Sequence, residues 1–125
     1  MKYAILCYSE EDVVGAWTKE EDEACMARLM TVQQKVEAQG RLGPVARLLP
    51  TTAATTLRKS AAGEPLVIDG PFAETKEQFL GFYVVDYPTL DEAIDFAREL
   101  AEANPVVGSY EIRPIGTFLP WTLKT

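Results

Sequence analysis

With 125 residues, of which 12 are Lys or Arg and 19 are Asp or Glu, the chain carries a formal net charge of −7. That acidic excess argues against nucleic acid as a partner, because a phosphate backbone needs clustered cations. Hydrophobic residues at 47% and charged residues at 25% fit one globular domain, 1–125, large enough for a real core. No apolar run approaches the roughly 20 residues of a membrane span, and no basic segment precedes an apolar one at the N-terminus. A cytoplasmic protein without membrane contact is therefore expected.

The chain contains no histidine. A Ser-His-Asp triad, a Cys-His pair and a His-ligated metal are excluded within it, so acid–base chemistry falls to Asp, Glu, Lys, Tyr or Cys. The two cysteines, Cys7 and Cys25, are distant in sequence and read as buried reduced thiols; a disulfide or a thiol nucleophile is the alternative. No structural zinc site and no cofactor are expected.

Tyr3 to Tyr8 is a short run of strand formers, apolar enough for a central strand. Ser9 to Trp17 is an acidic connection, with Trp17 either a hydrophobic staple or part of a pocket wall. Thr18-Lys19-Glu20-Glu21 reads as a capping box. The helix it opens places Cys25, Leu29, Val32 and Val36 on one stripe, widened by Met26 and Met30, and Gly40 closes it. Arg28, Gln33, Lys35 and Glu37 fall on the solvated face.

Leu42 to Leu49 is extended, and its Gly43-Pro44 requires an edge position or a bulge. Thr55 to Lys59 and Pro65 to Ile68 form a hairpin. Phe79 to Val85 is the strongest strand signal in the chain. Thr89-Leu90-Asp91-Glu92 is a second capping box, followed by a stripe of Leu90, Ala93, Ile94, Ala97, Leu100 and Ala101. Asn104-Pro105 stops that helix, and Gly108 to Ile115 alternates as a last strand. The tail through Trp121 is apolar enough to be docked.

The order β, α, β, hairpin, β, α, β is an α+β arrangement: a ferredoxin-like split β-α-β sandwich with an inserted hairpin. Both helices belong on one face of a mainly antiparallel sheet. The other face is too apolar for water, and a second copy of the chain is its simplest cover. This predicts a homodimer with the two sheets face to face, a dimeric α/β barrel.

Asp69 to Gln78 is the densest run of special residues, turning sharply at Gly70-Pro71 between two strands. Asp69 suits a general base, or else caps its own loop as an Asx turn. Glu74 and Glu77 flank Lys76, and with Thr75 they suit a polar ligand or Mg²⁺, or else form a solvated loop with local ion pairs; their spacing matches no dedicated metal motif. Lys76 and Arg113 are the cations best suited to an anionic group, although Glu111 and Arg113, on one strand face, also suit salt bridges to neighbours or a dimer contact. Tyr83 suits a pocket wall or a proton donor to a ligand carbonyl. An enzyme requires Asp69, Lys76 and Arg113 to converge on one cleft. A non-catalytic module that binds a protein does not.

The run Asp69-Gly70-Pro71-Phe72-Ala73-Glu74-Thr75-Lys76-Glu77, with Gly81-Phe82-Tyr83, Leu90-Asp91-Glu92-Ala93-Ile94 and Glu111-Ile112-Arg113-Pro114, resembles the DGPF-type branch of the YCII-related proteins. The resemblance covers residues 1 to 118. It implies a ferredoxin-like dimeric barrel and no established reaction. The wider group is similar to small enzymes with a His-Asp pair; without a histidine, only Asp69 carries over. The same resemblance implies a regulatory role beside an extracytoplasmic-function sigma factor as the alternative to small-molecule binding.

Overall fold

Nine strands and helices follow one another in the computed structural model, which describes residues 1–124. They are β1 (Lys2–Glu10), α1 (Glu11–Gly15), α2 (Lys19–Ala38), β2 (Leu42–Arg47), β3 (Thr55–Arg58), β4 (Leu66–Asp69), β5 (Glu77–Asp86), α3 (Leu90–Ala103) and β6 (Gly108–Pro114). A single 3₁₀ turn, Thr51–Ala53, lies between β2 and β3. The main sheet has four strands in the order β2-β5-β1-β6, and β3-β4 form a separate two-stranded ribbon. Each neighbouring pair is antiparallel. This α+β topology is compatible with a ferredoxin-like split β-α-β unit carrying an inserted hairpin.

Local chemistry sets the element ends. Thr18 and Glu21 form a complete capping box, with Thr18 Oγ1 accepting from the Glu21 N–H at 3.1 Å and Glu21 Oε1 from the Thr18 N–H at 3.1 Å. At the other end of α2, Gly40 adopts φ +70°, and the N–H groups of Gly40 and Arg41 donate to the Glu37 and Val36 carbonyls. That is a Schellman closure, and the left-handed residue it needs is the glycine. The second box is only half made: Thr89 Oγ1 accepts from the Glu92 N–H, but its hydroxyl donates to the Glu92 carboxylate, which therefore does not reach back to the Thr89 backbone. β2 occupies a sheet edge, and its register slips between Leu42 and Val45, where Gly43-Pro44 sits.

α2 and α3 pack on one face of the sheet. Cys25, Leu29 and Val36 of α2 and Ala93, Phe96, Ala97 and Leu100 of α3 meet Tyr3, Ile5, Tyr83 and Val85 in one buried cluster. The Phe96 ring stands edge-on to Tyr83, with centroids 5.7 Å apart. The α3 stripe therefore departs from expectation: Phe96 is central, while Leu90 and Ala101 are exposed. Alternation along β1 and β5 turns Ala4, Leu6, Phe82 and Val84 to the other face, which α2 and α3 do not cover.

Three further expectations change. The acidic connection after β1 contains a short helix, α1, and the strand itself runs on to Glu10. Trp17 takes the second of its two readings: the position a staple would meet in α2 is Asp22, which offers no apolar partner, and Trp17 instead packs against the core as part of a pocket wall. The tail is tied down through Ile115, whose N–H donates to the Lys2 carbonyl, and Phe118, whose ring lies under Lys2 Nζ. Beyond that point Trp121 and Leu123 are exposed, because nothing among the described residues covers them.

Candidate functional site

β4 delivers Asp69 to the mouth of a cleft of about 600 Å3. Gly70 turns the chain there with φ +108°, a conformation that favours glycine. Two bonds fix that turn to the hairpin: the Gly70 N–H donates to the Ala54 carbonyl at 2.7 Å, and Thr56 Oγ1 donates to the Gly70 carbonyl at 2.7 Å. The loop that follows is held from within by Gln78, whose amide donates to the Ala73 and Thr75 carbonyls at 3.2 and 3.3 Å. The opposite wall comes from the end of β1 and the start of α1. There both carboxylate oxygens of Glu11 accept from Thr51, one from its N–H and one from its hydroxyl.

Asp69, Glu74, Thr75 and Lys76 all line this cleft, together with Glu10, Glu11, Asp12 and Thr51. Four of the six candidate residues are thus brought together by one loop. Asp69 is exposed, and among the described residues no hydrogen bond engages its carboxylate, so it is neither an Asx-turn acceptor nor a loop cap. Lys76 Nζ lies 3.3 Å from Glu10 Oε1. The lining holds the five carboxylates of Glu10, Glu11, Asp12, Asp69 and Glu74 against one lysine, a strongly negative field for so small a space. Among the described residues no group of three or more Cys, Asp or Glu side chains is arranged to hold a metal ion.

The other two candidates lie elsewhere. Tyr83 is buried in the core, and its hydroxyl accepts from Gln33 Nε2 at 3.3 Å, which turns Gln33 inward from its expected solvated position. Burial raises the Tyr83 hydroxyl above the usual phenol range. Arg113 sits opposite Ala4 on the sheet face away from α2 and α3. Its strand neighbour Glu111 accepts from Tyr8 Oη at 3.2 Å. The convergence of Asp69, Lys76 and Arg113 is therefore not formed within one chain.

Glu10, Glu11, Asp12 and Thr51 escaped sequence reasoning. The signal available was an acidic triplet, Glu10-Glu11-Asp12, at the end of the first strand. Pairing it with a threonine forty residues on required knowledge of which wall the 3₁₀ turn would meet.

The fold defines an α+β domain with a four-stranded antiparallel sheet, two principal helices and an inserted ribbon. A sequence model of the YCII-related domain matches residues 1–119. The chain belongs to the YCII-related domain family. It is 62% identical over 125 residues to an uncharacterized protein of Rhizobium meliloti, with both chains covered completely. Among the described residues no helix is long and apolar enough to cross a membrane.

Proposed function

We propose that this protein is a small-molecule-binding domain of the DGPF-type branch of its family, acting in the cytoplasm through the cleft beside Asp69–Gln78. The observation that carries the reading is the gathering of Asp69, Glu74, Thr75 and Lys76 around one cavity, with an unbonded carboxylate at its mouth. The charge selects the ligand. Five carboxylates and a lysine already paired with Glu10 repel an anion, so the anionic half of the sequence expectation gives way to a polar ligand carrying an ammonium group or several hydroxyls. Asp69 is the acceptor placed to take a hydrogen bond from that ligand, in binding rather than catalysis, because Arg113 does not join Asp69 and Lys76 at the cleft. A thermal-shift screen of amines, amino sugars and polyols against carboxylates of matched size tests this, because a ligand of the folded state raises Tm by mass action. Hits among the cations that vanish in Asp69→Asn support the reading; hits only among carboxylates defeat it.

We propose also that two copies pair through the sheet face bearing Leu6, Phe82 and Val84, closing a dimeric barrel. Arg113 and Glu111 then lie at the contact between copies.

A second reading has its own support. Leu57, Leu66, Val67 and Phe72 on the hairpin and its loop are exposed, as are Trp121 and Leu123 of the tail. Apolar surface of this kind suits a non-catalytic module that docks a protein, with an extracytoplasmic-function sigma factor as the partner implied by resemblance. Retention of a sigma factor by the immobilised protein, together with a flat thermal-shift screen, favours this reading over the first.

A further inference from the structure

A second cavity, of about 120 Å3, lies between the sheet and α2. Its lining includes the apolar side chains of Trp17, Met26 and Leu29, with Leu100 of α3 behind them. That volume is close to the roughly 150 Å3 of an engineered apolar cavity that accepts benzene.

The polar groups facing it are neutral. Gln33 donates to the Tyr83 hydroxyl, which leaves the Tyr83 proton available to an incoming acceptor. Burial pushes the Cys7 thiol and the Tyr110 hydroxyl each up to about 12, so both stay protonated at neutral pH. The one charged lining residue, Arg47, is half-exposed and already engaged: its Nη2 and Nη1 lie 2.7 and 3.3 Å from the Asp22 carboxylate. An ion entering this half-open space would give up part of its hydration without finding a free counter-charge. A neutral ring with one hydrogen-bonding substituent loses little and buries its apolar surface.

We infer that the cavity between the sheet and α2 is a binding site for a small neutral molecule of phenol size, with the ring against Met26 and Leu29 and the polar substituent at the Gln33–Tyr83 pair. This site is separate from the acidic cleft and does not depend on it, for the two share no lining residue.

The test uses phenol, with benzoate as the charged ring of similar size. The chain has three methionines, and Met1 and Met30 are exposed while Met26 lines the cavity. In protein labelled at the methionine methyls, phenol should move the Met26 signal alone, saturating with a Kd of about 1 mM. Benzoate should bind at least about tenfold more weakly. Cys25→Leu narrows the cavity and should abolish the shift; if that variant does not fold, contacts between phenol ring protons and the Met26 methyl in the native protein decide the matter. The inference is overturned by a Met26 signal that does not respond, by equal movement of all three methyls, by benzoate binding as well as phenol, or by a folded Cys25→Leu that still binds. None of these outcomes bears on ligands of the Asp69 cleft, whose residues lie outside this readout.

Discussion

At the scale of single residues, Asp69 and Thr18 make opposite predictions from the same kind of side chain. The Asp69 carboxylate stands exposed and unbonded, so Asp69→Asn should change stability by less than about 0.5 kcal/mol in denaturant titration. Thr18 satisfies an N–H at the start of α2, so Thr18→Ala should cost about 1 kcal/mol. An Asp69→Asn loss as large as that of Thr18→Ala would return Asp69 to a loop-tying role. Cys7 gives a pH prediction. Its folded-state pKa is raised from 9.0 to about 12 by burial. Below pH 9 the thiol is protonated in both states and this group's stability is fully present. Between pH 9 and about 12 only the unfolded chain ionises, so stability falls as pH rises. Cys7→Ala should flatten that slope, measured as the denaturation midpoint against pH.

At the scale of elements, the organising feature is β5. It pairs with β1 and β2, supplies Tyr83 and Val85 to the core, and carries the Asp69–Gln78 loop at its start. α3 locks it through Phe96, so Phe96→Ala should cost about 3–5 kcal/mol in the same titration. A smaller loss would mean that the core rearranges to fill the gap. Most of this layer was legible in the sequence, because the caps at Thr18 and Gly40, the Gly43-Pro44 bulge and the run Phe79 to Val85 are local signals. α1 was not legible: five residues are too few to show a helical period. Phe96 was missed because a helix surrounded by small residues presents a broad stripe, and the sequence does not say where its centre falls. Asp69, Glu74, Thr75 and Lys76 were readable as a group because one loop carries them. Tyr83 and Arg113 were misplaced relative to that loop because strand register decides which face a side chain takes, and register is a long-range property.

At the scale of the whole molecule, Leu6, Phe82 and Val84 stand half-buried on the sheet face that α2 and α3 leave open, and Trp121 and Leu123 are exposed among the described residues. The proposed pairing of two copies would remove the sheet face from water. Light scattering at micromolar concentration should therefore give twice the 13.8 kDa of the chain, and Phe82→Glu should reduce it to one. A monomeric native protein would defeat the face-to-face dimer. The cleft beside Asp69 is the central claim, and a map of backbone amide shifts during titration with the strongest amine from the thermal screen tests it most directly. The predicted result is a saturable set of shifts at Thr51, Gly70, Thr75 and Lys76, absent in Asp69→Asn. Shifts confined to the hairpin, the tail or the interior cavity, or a set unchanged by Asp69→Asn, would contradict it.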